Sequence, residues 1–251
     1  MKVAVLMAVH NDQLYIEDAL KSLLRQRHAA ELDIIVVNDG STDETGAILR
    51  RMEKSHPEIR LFETENTGVT RARNETLEQL RPDTDFVTFL DGDDLSAEGR
   101  FDRDLAIFRS KPQLDLIYSR LCHFEESDPE SLAPNRDSRT YRGRFIQLSS
   151  GLYSYALIKR VGRFDEELKQ AEDTDFILRM FETCPNYLLS DEVAFYYRRH
   201  ANNMTLDRKL ASREFARAML KSAKRRRQLP DYRMPAGLFE AERGREAPDW
   251  I

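Results

Sequence analysis

Only two cysteines occur, Cys122 and Cys184, 62 residues apart and outside any Cys-x-x-Cys spacing. They make neither a zinc-ligand set nor a disulfide framework, and such sparing use suits a reducing compartment. Glycine and proline are scarce, 10 and 9 positions in 251 residues, and aromatic residues reach 9%. With 41% hydrophobic and 33% charged residues, collagen-like, low-complexity and globally disordered classes are excluded. Positive charge is not in excess, because 44 acidic residues outweigh 39 basic ones for a net −5. A surface built to grip nucleic acid has the opposite sign, so nucleic acid is not an expected partner. Long hydrophobic runs are missing as well. The N-terminal apolar run is about eight residues, stops at His10-Asn11-Asp12 and has no small-residue cleavage site after it, unlike a signal peptide. No window approaches the roughly 20 apolar residues that span a bilayer. These absences predict a cytoplasmic chain with one substantial core and at most a small appendage.

Familiar nucleotide and hydrolase signatures are also lacking. No G-x-G-x-x-G follows the first apolar run, and no G-x-x-x-x-G-K-[ST], G-x-S-x-G or H-E-x-x-H occurs. A phosphate-bearing ligand therefore has neither a dinucleotide fingerprint nor a Walker-type loop to hold it. Metal ions and carboxylates remain as the means.

What is present is an alternation of strand and helix signals. Residues 3–9 and 33–37 are apolar runs rich in β-branched residues, 59–63 reads as a third short strand, and 86–90 as another. Between them, residues 15–27, 42–54 and 70–80 carry apolar side chains at helical spacing. This pattern predicts an α/β fold with a mostly parallel sheet covered on both faces. Ligands of such sheets bind beyond the carboxyl ends of the strands. Three strands end there in polar clusters, His10-Asn11-Asp12, Asn38-Asp39-Gly40-Ser41-Thr42 and Asp91-Gly92-Asp93-Asp94. Each cluster alone reads as a turn. Together they gather acids on one sheet edge, where mutual repulsion calls for a cation. Asp91-Gly92-Asp93-Asp94 in particular offers the hard oxygen ligands that Mg²⁺ or Mn²⁺ uses to grip a diphosphate.

Residues 125–144 are polar and aperiodic and read as a long loop or lid. Beyond them, 174–182 is a predicted helix with Asp173 near its N-cap, and 191–197 a last strand. Residues 198–228 hold eleven Lys or Arg against Asp207 and Glu214. A basic amphipathic helix is expected over 206–228, with an irregular tail over 229–251. Its charge either complements the helix dipole or docks on an anionic membrane surface.

Over most of residues 1–205 the chain resembles the family 2 glycosyltransferases of the GT-A fold. The pieces that carry the resemblance run in the family's order. They are Ala8-Val9-His10-Asn11, Val37-Asn38-Asp39-Gly40-Ser41-Thr42, Asn66-Thr67-Gly68-Val69-Thr70-Arg71-Ala72-Arg73-Asn74 and Leu90-Asp91-Gly92-Asp93-Asp94. Then follow Val161-Gly162-Arg163-Phe164-Asp165-Glu166, Glu172-Asp173 leading to Arg179, and Tyr197-Arg198-Arg199-His200. The resemblance implies a Rossmann-like nucleotide-binding half over 1–95, an acceptor-side half over 96–205, and a role for each motif.

His10, Asn11, Asp39, Gly68, Arg73, Asp91 and Arg198 are implied to contact the nucleotide, with Asp39 accepting from the donor's base. Asp91, Asp93, Asp94 and His200 are implied around a Mg²⁺ or Mn²⁺ ion, the division among the three acids being left open. Asp173 is implied as the general base, beside Glu172, of one inverting displacement that moves a sugar from a nucleotide diphosphate, UDP above all, to a hydroxyl acceptor. The stretch 148–157, with Ser149-Ser150-Gly151, borders the acceptor in the family. Cell-surface polysaccharide or glycolipid synthesis, with a glycan or lipid-linked acceptor, is implied by the same analogy. The chain departs from the family at Asn38, where many relatives carry an acid. Without the transmembrane helices of processive synthases, single-residue transfer is expected, at most peripherally at the inner face of a membrane.

Two other readings compete. A nucleotidyltransferase shares the acidic metal ligands but calls for a Gly-rich basic loop where His10-Asn11-Asp12 stands. A non-catalytic membrane- or nucleic-acid-binding module calls for loss of some of Asp39, Asp91, Asp93 and Asp173, all of which are present.

Overall fold

The computed structural model describes residues 1–201, 203, 208–229, 231–238 and 240–241. Its first half follows the expected alternation: β1 (Lys2–Val9), α1 (Ile16–Leu24), β2 (Glu31–Asp39), α2 (Thr45–Ser55), β3 (Ile59–Thr64), α3 (Val69–Glu78) and β4 (Phe86–Phe89). β1 pairs in parallel with β2 on one side and β4 on the other, and β2 pairs in parallel with β3. Successive side chains of a strand point to opposite faces, and β1 feeds two cores accordingly. Val3, Val5 and Met7 enter one cluster with Ile16, Leu20 and Leu23 of α1. Ala4 and Leu6 enter the other with Phe89, Phe176 and Phe181. Ile16, Leu20 and Leu23 are fully buried, each contributing about 1.5–3 kcal/mol of transfer free energy. That burial holds α1 against the sheet.

The second half continues with β5 (Leu95–Ser96), α4 (Arg100–Ser110), β6 (Leu116–Phe124), β7 (Ser127–Asp128), β8 (Ala133–Pro134) and β9 (Tyr141–Gly143). After a 3₁₀ turn at Leu148–Ser150 come β10 (Gly151–Ser154), α5 (Tyr155–Val161), α6 (Glu172–Glu182), β11 (Tyr187–Arg198) and α7 (Arg208–Arg226). The main sheet has the order β3-β2-β1-β4-β10-β6-β11-β5, and β9 adds to β6. β10 runs antiparallel to β4 and β6, whereas β11 is parallel to β6. The parallel half is thereby joined through β10 to a mixed half.

Several details differ from the sequence expectations. The stretch 125–144 is no plain loop, since β7 and β8 form a hairpin and β9 pairs with β6. Tyr141 and Leu132 are buried there, and two apolar side chains in a polar segment are too few to show a period. α6 starts two residues earlier than expected, at Glu172, with Ala171 at φ 59° as its N-cap and Asp173 inside the first turn.

α7 docks on α6 and on the segment before it through the side chains that made it look like a surface helix. Arg225 pairs with Asp175 at 2.8 Å and with Glu182 at 2.6 Å, and Lys221 with Asp165 and Glu167, both at 2.6 Å. Buried Glu214 accepts from the Lys169 amide at 3.3 Å. Part of the basic charge is thus engaged inside the molecule, and these contacts give the expected membrane docking no support. In the described part of the 229–251 tail no helix forms, yet Leu238 is fully buried and Glu240 bridges to Arg144; residues 230, 239 and 242–251 lie outside the described residues. Among the described residues no helix is long and apolar enough to cross a membrane.

Candidate functional site

A cavity of about 1290 Å³ opens beyond the carboxyl ends of β1, β2 and β4, and all three polar clusters contribute to its wall. His10, Asn11, Asp12, Asp39, Asp91 and Asp93 line one side, and Glu172, Asp173, Phe145, Gln147, Ser212 and Phe215 the other. Gly68, Arg73, His200 and Asn203 complete it. Asp94 and Arg198 stand behind the wall.

At the end of β2, Asp39 is 3% exposed and ties down the turn before α3. Its Oδ1 accepts the Thr67 amide at 2.7 Å and its Oδ2 the Gly68 amide at 2.9 Å. Gly68 has φ 91°, a region that favours glycine, and a Cβ there would face open space. His10 Nδ1 lies 2.7 Å from the Asp39 carbonyl. A carbonyl only accepts, so Nδ1 carries the hydrogen and Nε2 is left to accept from the Asn11 amide at 3.0 Å. Asn11, with φ 57°, accepts the Thr42 amide through Oδ1 at 2.8 Å and so ties the β1 loop to the β2 loop.

Arg73 projects from α3 between the two halves. Its Nη2 donates to Asp91 Oδ1 at 2.8 Å and its Nη1 to Glu172 Oε1. Burial opposes the Arg73 cation, but Asp91, Glu172 and Asp173 outweigh it and raise its pKa. Burial likewise raises the Glu172 and Asp173 carboxyls, with Arg73 working against the rise in both. Asp173 Oδ1 accepts the Thr174 amide at 2.6 Å. Both acids line the cavity, Glu172 with its Oε1 held by Arg73.

On the β4 loop, Asp93 Oδ2 accepts from His200 Nε2 at 2.8 Å, with the Asn203 amide at 3.4 Å. Asp94 is turned inward, its Oδ1 accepting the Arg198 amide at 2.9 Å. Its Oδ2 is buried with no hydrogen-bond partner among the described residues. The Arg198 guanidinium lies between the rings of Tyr15 and Phe124, 4.8 and 4.6 Å from their centroids, and donates to the Asp93 carbonyl at 2.9 Å. It braces the Asp91–Asp94 loop from behind.

Asp12 was assigned no role by sequence reasoning, although its cluster stood out. Its Oδ2 would lie 2.4 Å from a Cβ at Gly92, so the glycine leaves room for the carboxylate. Burial, then Asp93 and Asp91, push its pKa up to about 8. Tyr15 and Asn203 also escaped the sequence reading, because nothing local marks a ring or an amide that acts through a distant partner.

Three or more His, Cys, Asp or Glu side chains at metal-ligand spacing are not already gathered among the described residues. The donors nevertheless fit a hard divalent ion. Asp91, Asp93 and His200 supply two carboxylates and an imidazole, and the buried Asp94 oxygen and the raised Asp12 pKa mark a local deficit of positive charge. Mg²⁺-type ions commonly take one or two carboxylates and complete their shell with phosphate oxygens and water.

The sequence profile described as "Glycosyl transferase family 2" matches residues 4–164. A curated relative, the uncharacterized glycosyltransferase EpsJ of Bacillus subtilis, is 30% identical over 219 residues, 81% of this chain and 62% of EpsJ. The chain thus spans less than two-thirds of that relative's length. Among solved structures, S. aureus TarS 1-349 in complex with UDP-GlcNAc superposes with a TM-score of 0.72 at 22% identity, covering 94% of this chain and 68% of that one. The mannosyltransferase PcManGT from Pyrobaculum calidifontis, in complex with GDP-Man and Mn²⁺, gives 0.67 at 18%, covering 93% and 65%. At these identities the structural likeness establishes the fold, which is the GT-A type.

Proposed function

The chain belongs to glycosyl transferase family 2, and from that premise we propose that it transfers a sugar from a UDP-sugar to a hydroxyl acceptor with inversion. The observation that carries this reading is one cavity whose walls bring together Asp39, Asp91, Asp93 and the Glu172–Asp173 pair from separate elements. TarS, whose fold the chain shares, binds UDP-GlcNAc, which supports UDP as the carrier.

Asp39 meets the base edge of the nucleotide. A carboxylate has about four lone-pair sites, so the Thr67 and Gly68 amides and the Thr67 hydroxyl leave capacity for one more donor. Asp91, Asp93 and His200 would hold the divalent ion, with Asp94 behind them. When bound, Mg²⁺ or Mn²⁺ supplies electrostatic stabilisation of the departing diphosphate. Asp173 takes the proton from the acceptor hydroxyl while that oxygen attacks the anomeric carbon and the bond to the diphosphate oxygen breaks. Burial raises its pKa, which strengthens it as a base. Arg73 holds Glu172 and Asp91 in place and fixes the distance between base and donor.

Thermal unfolding with UDP, GDP or NAD, each with and without Mn²⁺, tests the proposal. A ligand that binds only the native state raises Tm. A Mn²⁺-dependent rise with UDP that disappears in Asp93→Ala is expected. Indifference to UDP and GDP, or a shift unaffected by metal and by Asp93, would overturn the reading.

A further inference from the structure

The basic charge of α7 is not all engaged with α6. Its inner side carries Glu214, Ala218 and Ser222, all buried. On the opposite side Lys209, Arg213, Ala216, Leu220, Lys224 and, in the turn that follows, Arg227 recur every three or four residues and are exposed. At about 100° per residue these six fall within a strip less than a quarter of the helix circumference wide. No acidic residue lies in the strip. Among the described residues no carboxylate lies within ion-pair distance of Lys209, Lys224 or Arg227, whereas Arg213 touches Glu214 at 3.3 Å. From Lys209 to Arg227 the strip covers 18 residue-to-residue steps, or about 27 Å at the α-helical rise. It starts beside the cavity, since Ser212 and Phe215 from the same part of the helix are among the residues that line it.

We propose that this strip is an extended docking surface for the acceptor, and that the acceptor is a linear polyanion with regularly spaced phosphodiester or carboxylate groups. The inference rests on the glycosyltransferase reading and names the substrate class of that same site. Four cations in two pairs, Lys209 with Arg213 and Lys224 with Arg227, on a helix face that begins beside the cavity complement a chain carrying anions at intervals. They would hold the polymer while its terminal or branch hydroxyl reaches Asp173. A membrane surface fits less well. Interfacial helices bury a broad apolar face, and this strip offers a single large apolar side chain, Leu220, 70% exposed. Phe215 is turned toward the cavity instead.

The test compares wild type with K209S/R213S/K224S/R227S, four exposed positions outside the nucleotide and base machinery. Fluorescence anisotropy is measured with labelled poly(glycerol phosphate), neutral dextran, an oligonucleotide and phosphatidylglycerol vesicles. Wild type should bind the phosphate polymer, more weakly as salt rises, and not dextran. The variant should lose on the order of tenfold or more, because individually weak exposed ion pairs add along the strip. The UDP-induced rise in Tm should be the same in both proteins, which shows that fold and donor site are intact. Equal polymer binding by the variant, or wild-type preference for vesicles or the oligonucleotide, overturns the polyanionic acceptor. Absence of the UDP response in wild type would instead strike the transferase reading, so the two failures are distinguishable.

Discussion

The imidazole Nε2 of His200 lies 2.8 Å from Oδ2 of Asp93, although 107 residues separate them in the chain. A carboxylate accepts only, so Nε2 carries the hydrogen here. A metal ion bound through Asp93 Oδ2 would exchange this hydrogen bond for coordination, with His200 becoming a ligand or an orienting partner. His200→Ala is expected to weaken Mn²⁺ affinity by roughly 10–100-fold, and Asp93→Ala by more. Isothermal titration with Mn²⁺ in the presence of UDP measures both. Unchanged affinity in His200→Ala would remove this residue from the metal site.

Arg73 is the joint between the two halves. Its Asp91 and Glu172 contacts are largely shielded from water, with Arg73 11% and Glu172 5% exposed at the side chain. Removing one partner of a buried pair leaves an uncompensated charge, at a cost of roughly 3–5 kcal/mol. Urea unfolding of Arg73→Ala should show a loss of that order. Arg73→Lys should recover part of the stability while failing to span both acids.

Asp12 and Gly92 are fitted to one another. A methyl group at Gly92 would meet the Asp12 carboxylate at 2.4 Å, so Gly92→Ala should displace Asp12 and the loop between Asp91 and Asp93. A fall in Mn²⁺-dependent UDP binding with a modest change in Tm is the expected outcome. An unaltered UDP response would show that the close approach is irrelevant to the site.

The same carboxyl has a pH signature. The folded pKa of Asp12 is raised from 3.8 to about 8 by burial and then by Asp93 and Asp91. Between those values the native state holds more protons than the unfolded chain, so stability falls as pH rises through the window. In metal-free buffer Asp12→Asn should flatten that slope. Urea midpoints measured from pH 5 to 8.5 give the comparison, and parallel curves for the two proteins would refute it.

His123 acts in the opposite direction. Burial and then the Arg199 charge lower its pKa from 6.5 to about 4. The unfolded chain takes up a proton in that range before the native state does, so stability falls as pH drops from 6.5 toward 4, by up to ~3 kcal/mol. The ring packs edge-on to Phe145 and Tyr197. His123→Phe should keep that packing and lose the acid-side slope. Retention of the full slope in the variant would assign it to other groups.

The parallel half of the fold was legible because hydrophobic periodicity is a local property. β1, α1, β2, α2, β3, α3 and β4 begin and end within a few residues of the sequence expectation. β6 and α4 were not resolved in advance, and Arg100 and Asp104 show why. Both are 1% exposed, and charged residues at buried positions of α4 erase the apolar stripe that marks a helix. Ala171 as the N-cap of α6 was equally hidden, since alanine carries no capping side chain.

For the site, short motifs written contiguously in the chain are enough to say that acids stand at the carboxyl ends of β1, β2 and β4. Packing between distant segments sets how those acids divide the space. It turned Asp94 inward to the Arg198 amide, placed Arg198 between Tyr15 and Phe124, and set Arg73 between Asp91 and Glu172. It also split the basic charge of α7 between Asp175, Glu182, Asp165 and Glu167 on one side and solvent on the other. The physical reason is the same in each case. A residue's type sets which interactions it can make, but its partner is fixed by side chains brought near from distant parts of the chain, and no local pattern records that encounter.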